Sequence, residues 1–312
     1  MRNKIQDKFI MIALLALFGL TNCNLKTEAS LINRNSRTSL QTNTFGLPEI
    51  PESMMFAGEK IILTDLDIKE RLDRELHALA YYHSYISFSF KRANRYFSDI
   101  EEILESENIP TDLKYLTIIE SNLDQATSPS GAKGFWQFMP TTGAEYGLQI
   151  DDFVDERLDI EKSSIAAAKY LKNAKQNFDS WLSVAASYNR GVQGMLNDFK
   201  QQKANHVFDL YLNTETARYV FRMLAVKLIF ENPKDFGFAP DKMELYPKVE
   251  TVKIKVTTPI DTLVKWSLDK GFNYKIVKNL NPWILQKSLP KPKGFYQITL
   301  PASSKQIGVY RK

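Results

Sequence analysis

Glu120 closes a stretch of helical spacing, "DLKYLTIIES" (residues 112–121), and small, turn-forming residues then lead into "SGAKGFWQFMP" (residues 130–140). A carboxyl among apolar groups is held protonated, because burial disfavours its charged form. A helix C-terminus acts in the same direction, since that end of the dipole is negative. A Glu kept neutral near pH 7 can protonate a leaving group, which is general-acid chemistry. Phe135, Trp136, Phe138 and Met139 are candidates for a dry wall. Gly131 and Gly134 permit a sharp turn, and Gln137 offers both a donor and an acceptor.

Two further segments carry candidate chemistry: "ASYNRG" (residues 186–191) and "ETARYV" (residues 215–220). Each has a plain structural reading. A Glu on a helix is commonly solvated, "GAKG" can be only a turn, and Phe-Trp-Phe-Met can be only core. Tyr-Asn-x-Gly at a helix end can be a cap. In this order and spacing, however, the segments resemble the lytic transglycosylase (family 1, goose-type lysozyme-like) domain, over residues 100–230. Within that family the set ES, GAxGxWQFMP, YNxG and ETxxYV resembles the membrane-bound lytic murein transglycosylase D type. One departure is visible: residues 121–128 form a segment about one residue shorter than usual, with Gln125 where Pro is common.

The resemblance implies cleavage of the MurNAc-GlcNAc β-1,4 bond of peptidoglycan without hydrolysis. Glu120 would be the single acid/base and the product a 1,6-anhydro-MurNAc end, with no cofactor and no metal. Ordinary glycosidases use a second carboxylate ~5–9.5 Å from the first; here the substrate's N-acetyl group would stabilise the reacting carbon. The implied substrate-binding residues are Ser121, Gln137, Met139, Tyr188, Asn189, Glu215 and Tyr219. Tyr188 is expected to hydrogen-bond Glu120, Asn189 to hold its turn, and Ser121 to bond either the N-acetyl group or local backbone. Tyr219 and Glu215 would support the cleft from the opposite side. Two alternatives stay open: a lysozyme-type hydrolase of the same bond, and an inactive peptidoglycan-binding scaffold. Asp124, Glu145, Asp151, Asp152 and Asp155 are possible second carboxylates; Asp124 is the nearest in sequence, and Asp151, Asp152 and Asp155 read first as a solvated loop and helix entry.

The elements that must position these residues are helical. Residues 60–240 read as a lysozyme-like, all-helical domain in a mainly α protein. "DLDIKERLDRELHALAYYHSYI" places Ile68, Leu72, Leu76 and Leu79 on one face. "ANRYFSDIEEILESENIP" does so with Tyr96, Ile100, Ile103 and Leu104, and stops at Pro110. "DIEKSSIAAAKYLKNAKQNF", "WLSVAASYNRG" and "TETARYVFRMLAVKLIFEN" give three more helices, and no alternating strand pattern is read between residues 65 and 231. Residues 241–312 change character: "VETVKIKV" and "GFYQITLP" alternate, with two helical segments between, the second carrying "LNPWI". This small β-α-α-β module resembles a degenerate lysin motif, which would bind glycan, or serves as a packed appendage.

The 312 residues, 44% apolar and 25% charged, suit a globular chain. The net charge of +5 fits polyanionic surroundings such as cell wall, but no basic block points to nucleic acid, and none is expected as a partner. The three histidines lack ligand spacing, and His77 and His83 read as helix-surface residues. Residues 1–23 read as a signal peptide: Arg2, Lys4 and Lys8, then "FIMIALLALFGL", shorter than the ~20 residues of a span. It runs into "LTNC", similar to a bacterial lipobox but with Asn22 where Gly or Ala is usual. Cys23, the single cysteine, would be lipidated and would anchor a monomer to the membrane on the periplasmic side of the envelope. Residues 24–59 read as a flexible tether reaching roughly 30–35 Å.

Overall fold

The computed structural model describes residue 46 and residues 48–303, all within one compact unit. The expected signal peptide, Cys23 and most of the tether lie outside the described residues. The tether reading fails at its C-terminal end. Strands β1 (Ser53–Phe56) and β2 (Glu59–Ile62) form an antiparallel hairpin with Phe56 opposite Glu59. Ala57 and Gly58 both have positive φ, 53° and 82°, as a two-residue hairpin turn requires. Met54, Phe56, Ile61 and Leu63 alternate into the main core, so this segment belongs to the domain.

Helix α1 (Leu66–Tyr81) starts at the Asp65 cap, whose side chain accepts from the Ile68 N–H. It buries Leu72, Leu76 and Leu79, as its spacing predicts, with Ile68 packed at the edge. Helix α2 (His83–Ser106) follows as one long element. A short 3₁₀ turn (Thr111–Lys114) leads into α3 (Tyr115–Ser121), which carries Glu120. Then come α4 (Pro140–Glu145), α5 (Ile160–Lys175), α6 (Trp181–Arg190), α7 (Val192–Gln202) and α8 (Thr214–Glu231). Small residues (Ser163, Ser164, Ala166, Ala167, Ala168 and Ala174) make up most of the buried face of α5, with Leu171, and let α2 pack against it closely.

Two ionic contacts, each with one buried partner, fix α8. Glu75 of α1, 1% exposed, accepts from Arg218 Nε at 2.7 Å and Nη2 at 3.2 Å. Lys227 Nζ reaches Asp112 Oδ1 at 2.7 Å, just before α3, while Asp112 Oδ2 accepts from the Ala57 N–H at 2.7 Å. Hairpin, α3 and α8 are thereby tied together, which sets the height of Tyr219 relative to Glu120.

Residues 243–250 run along α2, with the Tyr246 N–H donating to the Lys91 carbonyl. The C-terminal module then forms as read: β3 (Thr251–Val256), α9 (Leu263–Asp269), α10 (Tyr274–Leu280) and β4 (Tyr296–Pro301), the strands antiparallel with Val256 opposite Tyr296. Of "LNPWI" only Leu280 is helical, because α10 ends there. Asn281 is fully buried, donating to the Val277 and Thr299 carbonyls and accepting from the Thr299 N–H. Trp283 and Ile284 enter the module core together with Val154 of the helical domain.

Candidate active site

Helix α3 ends because Asn122 and Leu123 both adopt left-handed backbone, each with φ of 53°. Asn122 supports this strained stop: its side-chain oxygen accepts from Ser89 at 2.6 Å, and its carbonyl accepts from Arg92 at 2.9 Å. The Tyr85 hydroxyl of α2 donates to the Ile118 carbonyl at 2.6 Å, two residues before Glu120. The short helix is thus held from beneath, and the Glu120 carboxyl stands at its end.

The Tyr219 hydroxyl donates to Glu120 Oε1 at 2.6 Å. Burial raises the Glu120 pKa from 4.5 to about 7; Tyr219 opposes that rise, the Glu215 charge adds to it, and Arg222 opposes it. Tyr219 and Tyr188 are themselves pushed well above 10, first by burial and then by the Glu120 charge. Both phenols therefore remain protonated, and Tyr219 stays a donor whether Glu120 is neutral or ionised.

Tyr188 does not make the expected bond to Glu120. Its hydroxyl donates to the Trp136 carbonyl at 2.8 Å, because the 134–138 turn presents that carbonyl to α6. Its ring packs edge-on against Phe138 and Tyr170. The role assigned to Tyr188 falls to Tyr219, 99 residues from Glu120 in sequence. Arg222, one turn beyond Tyr219 on α8, lies outside the four motif segments; its i+3 spacing from Tyr219 is the signal that could have found it.

Residues 130–139 divide into core and surface. Phe135, Trp136 and Phe138 are buried, and the Trp136 indole donates to Ser164 at 2.9 Å. Met139 is 40% exposed. Gln137 has φ of 49° and spends both amide protons on backbone, donating to the Ala126 carbonyl at 3.1 Å and the Gly134 carbonyl at 2.8 Å. It holds the turn rather than presenting a donor. Ser121 likewise serves local backbone, between the Thr117 and Phe135 carbonyls. Gly134 is required: with φ of 79°, a Cβ there would lie 2.0 Å from the Arg157 carbonyl.

Asn189 joins two of the sequence segments. It donates to Glu215 Oε1 at 3.2 Å and accepts from Thr216 Oγ1 at 2.8 Å, linking the end of α6 to the start of α8. Of the possible second carboxylates, Asp124 is exposed and paired with Arg92 at 2.8 Å. Asp151 caps its own turn, accepting from the Phe153 and Val154 N–H groups. Asp155 is not solvated as expected: it is 2% exposed and salt-bridged to Arg157. Glu215 is the carboxylate whose charge acts on Glu120. In the shortened segment, Gln125 donates to the Leu158 carbonyl at 3.0 Å, and its own side-chain oxygen is buried without a partner. Among the described residues, no group of three or more His, Cys, Asp or Glu side chains is placed to hold a metal ion.

A helix-end acid of raised pKa, bound by a tyrosine from a distant helix and backed by a glycine turn, can give a proton to a leaving group. Residues 99–210 match the model of the Transglycosylase SLT domain, and residues 252–304 match that of the Soluble lytic transglycosylase C-terminal LysM-like domain. The chain carries a transglycosylase SLT domain and a LysM-like C-terminal domain. It is 34% identical over 176 residues to "Membrane-bound lytic murein transglycosylase D" of Escherichia coli strain K12, covering 54% of this chain and 38% of that relative. The same protein of E. coli O6:H1 (strain CFT073) gives the same figures. It is also 30% identical over 129 residues to "Putative tributyltin chloride resistance protein" of Alteromonas sp. (strain M-1), covering 41% and 62%. The chain thus spans less than two fifths of the length of its transglycosylase D relatives. The SLT match includes Glu120, Gln137 and Tyr188 but stops before Glu215 and Tyr219.

Proposed function

We propose that the protein is a lytic transglycosylase that cleaves the MurNAc-GlcNAc bond of peptidoglycan and leaves 1,6-anhydro-MurNAc ends, with Glu120 as its single acid/base. The observation that carries this reading is the Glu120 carboxyl, poised at a pKa of about 7 and held through one oxygen by Tyr219. An acid that must later act as base works best when its pKa lies near the operating pH. Tyr219 occupies Oε1, which leaves Oε2 to carry the proton. Neutral Glu120 protonates the glycosidic oxygen as that bond breaks. The substrate's N-acetyl group stabilises the reacting carbon. The resulting carboxylate then takes the proton from the C6 hydroxyl, whose oxygen closes the anhydro ring, and Tyr219 steadies the transient charge.

A hydrolytic reading draws on Glu215, which is charge-coupled to Glu120. Its contact with Asn189 favours a structural role. Mass spectrometry of digested peptidoglycan separates the readings: anhydro ends support the lytic reaction, and reducing ends support hydrolysis. Binding without release of soluble fragments would support the scaffold. Glu120→Gln should abolish release. The LysM-like module would add glycan affinity. Membrane attachment through a lipidated Cys23, on the periplasmic side, completes the proposal. Among the described residues, no helix is long and apolar enough to cross a membrane.

A further inference from the structure

We propose that the C-terminal module is a working part of the active-site wall, and that Asp155 is the positioning residue that couples the two. The seam between module and helical domain is built largely from backbone. The Asp155 N–H donates to the Trp283 carbonyl at 2.9 Å, and the Leu285 N–H donates to the Phe153 carbonyl at 2.8 Å. Val154 pairs with Ile284 as an isolated antiparallel bridge and is buried in the module's own core. Gln286 donates to the Asp152 carbonyl at 3.0 Å. Module and residues 151–155 therefore form one packed body, more than a tethered binding unit needs.

From this seam a continuous set of contacts reaches Glu120. The Asp155 carboxylate accepts from Arg157 Nε and Nη2, both at 2.8 Å, and from Lys133 Nζ at 3.1 Å. Arg157 Nη1 donates onward to the Gly131 carbonyl at 2.8 Å and the Phe138 carbonyl at 3.0 Å. Asp155 thus grips both ends of the 131–138 turn through two cations. That turn gives its Phe135 carbonyl to Ser121, the neighbour of Glu120, and its Trp136 carbonyl to Tyr188. A buried carboxylate with a bidentate arginine has one geometry, so the seam fixes the turn and the turn fixes the surroundings of the acid.

The test rests on the transglycosylase reading and carries one readout that does not. In full-length protein, Asp155→Asn breaks the grip, and Leu285→Pro removes one seam donor without touching the helical domain. Lys265→Ala, on the exposed face of α9, is the control. Both test variants are expected to lower kcat, Asp155→Asn by about tenfold or more, with a smaller change in KM. The basic limb of the pH profile should move to lower pH, because a loosened wall hydrates Glu120. The other groups facing that carboxyl, Tyr85, Tyr188, Glu215, Tyr219 and Arg222, are unchanged in these variants. A loss of folded protein alone would lower activity at every pH and leave the limb in place. Hydrogen exchange at Gly134 and Gln137 should quicken in both variants and not in the control. If Asp155→Asn fails to fold, Leu285→Pro decides. A folded Leu285→Pro with wild-type exchange, or with wild-type kcat and limb, overturns the coupling. If the wild type releases no fragments, the functional reading falls, and exchange alone decides the coupling.

Discussion

Replacing Glu120 with Gln should stabilise the fold at alkaline pH while abolishing activity. The carboxyl has a folded pKa of about 7 against 4.5 for an unperturbed Glu, so the folded state binds this proton more tightly than the unfolded chain does. Stability from this group is then fully present below about pH 4.5 and is lost as pH rises through 7. A shift of that size corresponds to an upper figure of about 3 kcal/mol above pH 7. The amide introduced by Glu120→Gln is neutral at every pH, and its oxygen can still accept from Tyr219. The variant should therefore match wild type near pH 4 and exceed it by up to about 3 kcal/mol at pH 8.5. Urea melts at the two pH values, fitted with a common slope, measure the difference. An equal stability difference at both pH values would refute the claim that Glu120 is held in a charge-averse site.

Tyr219→Phe removes a donor that favours the ionised carboxyl, so the Glu120 pKa should rise by about one unit or more. The basic limb of kcat/KM should follow it upward, and an unmoved limb would deny Tyr219 its role. Tyr188→Phe should instead move the limb to lower pH, because it loosens the 134–138 turn and lets water reach Glu120. It gives up a bond to a backbone carbonyl and should lower stability by about 1–3 kcal/mol in thermal or urea unfolding, since the Trp136 carbonyl loses its partner. Gly134→Ala places a methyl within bonding range of the Arg157 carbonyl at a positive φ. It should lower stability by about 3 kcal/mol or more, measured as a fall in melting temperature.

The helical frame was legible because apolar spacing in α1 and the second half of α2 reflects burial directly. The Asp65, Asp159 and Ser180 caps mark the starts of α1, α5 and α6 in side-chain chemistry. The hairpin of residues 53–62 was hidden because each strand is only four residues long and lies behind a polar stretch. Motif spacing located Glu120, but it could not pair Glu120 with the correct tyrosine. Two tyrosines flank the acid from different helices, and which one reaches it depends on the height of α8, set by Glu75 with Arg218 and by Lys227 with Asp112. The burial of Asp155 was hidden for a related reason. In sequence it sits among acids, and only the folded chain brings Lys133 and Arg157 to it.

The same facts explain why so much of this site consists of groups that never need to touch substrate. A carboxyl with a pKa near 7 is costly to keep buried once it ionises, and a hydrated carboxyl would relax toward 4.5. On the transglycosylase reading, the protein must therefore keep water away while leaving Glu120 open to a glycan. Burying Phe135, Trp136 and Phe138 excludes water from behind. The front is governed by a turn with few side chains to spare: Gly131 and Gly134 have none, and Gln137 is spent on backbone. Such a turn has little intrinsic rigidity, so its shape must be imposed from outside, by Ser121, by Tyr188 and by the Asp155–Arg157 pair. Conversely, any change that loosens one of these three should act on Glu120 through its hydration, moving pKa and turnover together.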